Sequence, residues 1–107
     1  MPKSKKDKPA PVLLVDHDKF KRSALQSVLI RNGYECVSYA SGFQALKELE
    51  SKRVSVVIVV NNFEDMPGIE LASMVKSHHP NIPVVQIAEY PDEEEEALVL
   101  KAGVDFY

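Results

Sequence analysis

At 107 residues, 45% hydrophobic and 27% charged, the chain is sized for one small domain. No aliphatic run is long enough to cross a bilayer, and the single cysteine, Cys36, excludes an intrachain disulfide, so a reducing cytoplasm is the expected setting. The net charge of −3 divides unevenly: residues 1–11 hold four lysines and one acid, net +3, and the remaining nine bases and fifteen acids give −6, a poor balance for binding nucleic acid through the body.

Residues 1–11, MPKSKKDKPAP, read as a disordered basic tail rather than a signal peptide, and a domain is expected over 12–107. PVLLV (11–15) is a first strand. Asp18 caps a helix whose apolar face is Phe20, Ala24, Leu25, Val28 and Leu29, closed at Asn32-Gly33. YECVSYA (34–40) is a second strand. Ser41 and Gln44 start the next helix as a capping box, with Phe43, Leu46 and Leu49 on its apolar face. VSVVIVV (54–60) does not alternate, so both faces of this third strand are expected to be buried.

After the loop NNFEDMPG, IELASMVKS (69–77) is a helix stopped by His78-His79-Pro80. IPVVQIA (82–88) is a fourth strand. Pro91-Asp92 opens a helix whose first turn, Glu93 to Glu96, sits at the positive end of the helix dipole. It closes at Gly103, and VDFY (104–107) begins a fifth strand. Strand and helix alternate throughout, which predicts an α/β fold with a parallel sheet and helices on both faces. Chemistry in such sheets gathers at the C-terminal ends of the central strands. Those ends hold Asp16, His17 and Asp18, then Val60, Asn61 and Asn62, then Ile87, Ala88 and Glu89.

Five segments in order, LLVDHDKFKR, NGYEC, ASGFQAL, MPGIEL and KAGVDFY, resemble the receiver domain of bacterial two-component response regulators over residues 12–107. The resemblance implies a flavodoxin-like (CheY-like), doubly wound, five-stranded parallel sheet of order 2-1-3-4-5, with the family's last helix missing from this chain. It implies phosphoryl transfer from a histidine kinase to an aspartate ending the third strand. Two acids after the first strand join that aspartate in holding magnesium, which prefers hard oxygen ligands. A serine or threonine ending the fourth strand and a lysine after the fifth contact the phosphate.

Carried onto this sequence, the first acid is Asp16. The second position is His17, and imidazole is a poor magnesium ligand. Counting back eight from Gly68, or forward eighteen from Gly42, places the phosphoacceptor at Val60, which has no nucleophile. The hydroxyl position is Ile87, and the lysine position lies past Tyr107. A one-residue slip puts Asn61 in the site instead, still without a nucleophile. The degenerate pocket is therefore Asp16, His17, Asp18, Val60, Asn61, Ile87 and Ala88, with no catalytic residue, no cofactor and weak or absent magnesium binding.

Blander readings stand beside these. Asp18 serves as a helix cap and Asp16 bonds nearby amides. His17 is an exposed loop residue rather than a pH sensor, and His78-His79 is a solvated helix end rather than a metal pair. The expected function is a non-phosphorylatable pseudo-receiver, not an enzyme, acting as a protein–protein interaction module. Its candidate interaction face is Tyr90, Leu98 and Tyr107, with Tyr107 fixed in one rotamer. Protein partners or a homodimer are expected, and neither nucleic acid nor membrane. The alternatives are a receiver phosphorylated on a displaced acid such as Asp65, and a small-ligand module at the strand ends. Against the latter, DHDKFKR has no glycine to form a phosphate loop.

Overall fold

The computed structural model describes residues 10–88 and 92–107. Four strands, β1 (Val12–Asp16), β2 (Cys36–Tyr39), β3 (Val56–Val60) and β4 (Val84–Ile87), alternate with α1 (Lys19–Arg31), α2 (Gly42–Leu49), α3 (Gly68–His78) and α4 (Glu93–Lys101). All strand pairs are parallel, in the order β2-β1-β3-β4. The chain thus switches direction across the sheet between β1 and β3, where a crevice opens at the strands' C-terminal ends.

The predicted elements form with boundary shifts of one or two residues, and local chemistry explains most starts and stops. Asp18 accepts the amides of Phe20 and Lys21 at 2.9 and 3.1 Å to start α1. Gly33, at φ +91°, takes the left-handed conformation after that helix. Ser41 Oγ accepts the Gln44 amide to start α2, and Asp92 accepts the Glu94 amide to start α4. The four glutamates of the α4 first turn stand where the helix dipole favours them.

The main core lies on one face of the sheet. There Leu13, Val15, Val57, Val59 and Val84 pack with Ala45 and Leu49 of α2, Leu71, Ala72 and Val75 of α3, and Val99 of α4. Each fully buried side chain of this kind stabilises the fold by roughly 1.5–3 kcal/mol, so this layer carries most of the stability.

The other face is open, as expected where the family's last helix is missing from the chain. The apolar stripe predicted for α1 is not buried: none of its residues is fully enclosed, and Phe20 is 85% exposed. The reason is coverage. α1 packs over β1 and β2, and among the described residues no helix covers β3 and β4 on that side. Val56 and Ile58 are consequently only half-buried, so β3 is not enclosed on both faces as its apolar run suggested. In α2, Phe43 turns outward while Ala45 and Leu49 face the core.

The fifth strand is reduced to a single parallel bridge between Val85 and Phe106, with the Gln86 amide donating to the Phe106 carbonyl at 2.8 Å. Tyr90 and residues 1–9 of the basic tail lie outside the described residues. No helix among the described residues is long and apolar enough to cross a membrane.

Candidate functional site

The pairing register sets three residues side by side. Asp16 pairs with Val60 across β1 and β3, and Val60 pairs with Ile87 across β3 and β4. In-register neighbours of parallel strands project to the same face, so the three form a row at the C-terminal edge of the sheet. They border a cavity of about 280 Å³ whose other walls are Lys21, Ala24 and Leu25 of α1, and Asn61. The register therefore places Val60, not Asn61, in the row with Asp16.

Asp16 is 2% exposed. Its Oδ1 accepts the Asp18 amide at 2.9 Å. Among the described residues, its Oδ2 is buried and receives no hydrogen bond. Burial pushes the carboxyl above the ordinary carboxylate range, with the Asp18 amide opposing. Lys21 and Arg22 also oppose the rise through space, and Arg22 Nη1 donates to the Asp16 main-chain carbonyl at 2.8 Å. Asp18 is the opposite case. It is solvent-exposed, and the Lys21 amide first among its partners holds it below the ordinary value. His17 is exposed, and its Nε2 lies 3.5 Å from Glu64 Oε1, joining the two loops that flank the crevice.

The loop after β3 is built on backbone contacts. Asn61 donates its amide to the Ile87 carbonyl at 2.8 Å and then turns the chain through a left-handed conformation, φ 54°. Asparagine tolerates this region better than most side chains. The Asn61 carbonyl packs directly on the Cα of Gly68, leaving no room for a Cβ there. Asn62 Oδ1 accepts the Gly68 amide at 2.8 Å to begin α3. Asp65 accepts the amides of Gly42 and Phe43 at 3.1 and 2.8 Å, fastening this loop to the start of α2. Partial desolvation opposes its charge, but the Phe43 and Gly42 amides outweigh it and hold the carboxyl below its ordinary range.

As a seat for magnesium, the row offers little. Asp16 brings one carboxylate, its Oδ1 taken by the Asp18 amide and its Oδ2 buried, the imidazole of His17 engages Glu64, and Val60 supplies no donor. Among the described residues, no three His, Cys, Asp or Glu side chains are grouped to hold a metal ion, so the donor set does not fit a cation that demands hard oxygen ligands in octahedral array.

The remaining candidates are dispersed. Leu98 is exposed on α4. Tyr107 packs against the core, and burial first, then Glu95, raises its hydroxyl pKa. His78 Nδ1 lies 3.2 Å from the Met74 carbonyl at the end of α3. Ala88, just past β4, is half-buried. Sequence reasoning missed Lys21, Ala24 and Leu25 as cavity walls, although their spacing marks one helical face. Phe106, on the reduced last strand, is 66% exposed.

The sequence profile of the response regulator receiver domain matches residues 12–107. The response regulator protein FleR of Pseudomonas aeruginosa is 35% identical over 81 residues, 76% of this chain and 17% of that protein. The alkaline phosphatase synthesis transcriptional regulatory protein PhoP of Bacillus subtilis is 25% identical over 96 residues, covering 90% of this chain and 40% of that one. The chain thus spans less than half the length of these relatives. Among solved structures, a CheY-like receiver domain protein from Methanospirillum hungatei superposes with a TM-score of 0.87 at 24% identity, over 94% of this chain and 80% of its own. The chemotaxis protein CheY4 of Vibrio cholerae gives 0.86 at 26% identity, over 92% and 84%.

Proposed function

Because the chain belongs to the response regulator receiver domain family, we propose that it is a receiver without a phosphoacceptor, working as a protein–protein interaction module inside a two-component signalling protein. One observation carries this reading: Val60 occupies the strand end that lies in register with Asp16 and Ile87. A valine there offers no nucleophile, and Ile87 offers no hydroxyl to meet a phosphoryl oxygen. Magnesium binding is weak or absent, since Asp16 is the only carboxylate of the row. The domain is not catalytic.

Asp65 is the nearest acid for a displaced phosphorylation site, and its environment argues against that role. Both of its oxygens are engaged by the amides that begin α2, so attack would cost the loop its anchor. The partner is a protein, or a second copy meeting the apolar side chains Ile87, Leu98, Leu100 and Phe106, all of which are exposed. The acidic body does not favour nucleic acid.

Incubation with acetyl phosphate, or with beryllofluoride and magnesium, leaves the amide NMR spectrum unchanged on this reading. Specific shifts at Asp16, Val60 and Ile87, or a phosphorylated peptide by mass spectrometry, would overturn it.

A further inference from the structure

The fold sorts charge along the strand direction. Helices that connect parallel strands all run against them, so each helix starts at the strands' C-terminal end and finishes at the other. All four helices carry a base in the last turn, Arg31, Lys47, Lys76 and Lys101, and α4 starts on Glu93–Glu96. Residues 16–22, 61–70 and 92–96, at the strands' C-terminal end, hold ten acids and three bases, net −7. Residues 31–35, 47–53, 76–80 and 101–105, at the opposite end, hold six bases and four acids, net +2.

The tail adds to the basic end. Pro11, at its root, accepts the Ser55 amide at 2.9 Å, so the net +3 of residues 1–11 joins the domain beside Arg53. Helix dipoles oppose this arrangement with about half a charge per helix end, too little to reverse either pole. Glu93, Glu94, Glu96, Lys52 and Arg53 are all exposed. Among the described residues no ion pair engages the four glutamates or Arg53. Arg53 shares a depression with Lys52 and His79 over an apolar floor of Leu49, Val54 and Ile82, which makes the basic end concave.

The poles do not neutralise each other within one copy. A strand of five residues, such as β1, spans roughly 17 Å, about twice the distance over which exposed charges are felt at physiological salt. A second copy brings opposite poles into contact, whereas a polyanion would be repelled by the net −7 end.

We propose that copies of this chain associate end to end, the Glu93–Glu96 turn of one meeting Arg53, Lys52 and the tail lysines of the next. The contact is heterologous, so each copy keeps one unused end and the assembly can extend. It names a partner for the interaction-module reading and rests on it, but it uses neither the strand-end row nor the apolar side chains of β4.

Sedimentation velocity of the full chain over a concentration series tests it. The average mass should rise past that of a dimer at about 20 mM salt, and the apparent dissociation constant should weaken at least tenfold at about 200 mM. Glu93→Gln, Glu94→Gln and Glu96→Gln together should abolish association, as should Lys5→Gln, Lys6→Gln, Lys8→Gln and Arg53→Gln together. Mixing these two variants, each shown folded by circular dichroism, should restore a one-to-one heterodimer that does not extend. Phe106→Ser should associate like the parent.

A mixture that stays monomeric overturns the proposal, as does association indifferent to salt, a mass independent of concentration, or loss of association in Phe106→Ser. Binding of a strictly monomeric chain to heparin or anionic vesicles also overturns it and assigns the basic end to a polyanion. The acetyl phosphate experiment reads the row at Val60 and is blind to this contact, so the two readings fail separately.

Discussion

Val60 stands in register with Asp16 across the two central strands, so an apolar side chain that is 3% exposed lies directly beside a buried carboxylate. The neighbour of Asp16 is thus hydrocarbon rather than a second acid, and the electrostatics of the crevice follow from that. With one carboxylate there is one charge to desolvate. With two, both resist ionisation.

Val60→Asp tests this arrangement. The new carboxylate would be buried beside Asp16, and desolvation with like-charge repulsion is expected to cost about 3 kcal/mol at neutral pH, partly recovered in acid as one carboxyl takes up a proton. Urea denaturation at pH 7 and pH 5 measures it. The same variant should not become phosphorylated by acetyl phosphate, since His17 and Ile87 are unchanged. Ready labelling in a phosphoprotein assay would show that the acceptor alone was missing.

Gly68→Ala forces a methyl group into the Asn61 carbonyl, which is backbone and cannot swing aside. A loss of about 2–3 kcal/mol is expected. Gly33 is the comparison, because a Cβ there meets nothing within 4 Å and the cost is only that of a left-handed alanine, about 1 kcal/mol. Thermal unfolding of both variants should rank them in that order. A milder effect at Gly68 would mean the loop relaxes away from α3.

The two acids of the crevice should act on stability in opposite directions as pH changes. Asp65 is held below its ordinary range when folded, so its contribution is present above the unfolded value and is lost as pH falls through the folded one. Asp65→Asn should cost about 1 kcal/mol at pH 7, the lower end for a helix-start acceptor because solvent screens it, and nothing in strong acid. Asp16 is raised. The folded state then binds more protons than the unfolded one, and stability falls as pH climbs from the ordinary carboxylate value through the raised one. Asp16→Asn should therefore be at least as stable as the parent at pH 7, by up to ~1 kcal/mol, with that fall removed. Denaturation across pH 3–7 distinguishes the two slopes.

Lys76 holds the end of the chain to β4. Its Nζ donates to the Pro80 and Ile82 carbonyls and to Asp105 Oδ2, at 3.1, 3.1 and 3.0 Å. The same Asp105 oxygen accepts the Val84 amide at 2.8 Å. Lys76→Met keeps the stem and removes the donors, and about 2 kcal/mol should be lost. Circular dichroism melts give the cost. Faster hydrogen exchange at the Val84 amide, with exchange in β1 unchanged, would place the loss where the contacts are.

Much of the scaffold was legible because it depends on local signals. The caps at Asp18 and Ser41, the glycine at 33 and the aliphatic strands each mark an element without reference to the rest of the molecule. The position of Val60 was legible by spacing from two glycines. Coverage was legible only through the resemblance, whose last helix is missing from this chain. The stripe of α1 has helical periodicity, and periodicity alone does not say whether a neighbour lies against it; Phe20 stays in solvent. The apolar run of β3 likewise does not record how much of one face is covered. The α1 wall of the cavity, Lys21, Ala24 and Leu25, escaped because it requires the helix and the strand ends to meet in space, and the roles of Asn62 and Asp65 escaped because their partners lie 6 and 23 residues away.

The uneven burial of the two sheet faces has a kinetic side. β1 pairs with β3 across 44 residues of chain, Val12 with Val56, so the central ladder forms only after a long loop closes, and its amides exchange with solvent only when the whole domain opens. α1 is tied down differently. It has no enclosed side chain, and its hold on the sheet includes the Gln26 bond to the Cys36 carbonyl and the Arg22 bond to the Asp16 carbonyl. Its amides should therefore exchange faster than those of the central ladder, and the wall of the crevice that α1 supplies would then be the least stable part of the site.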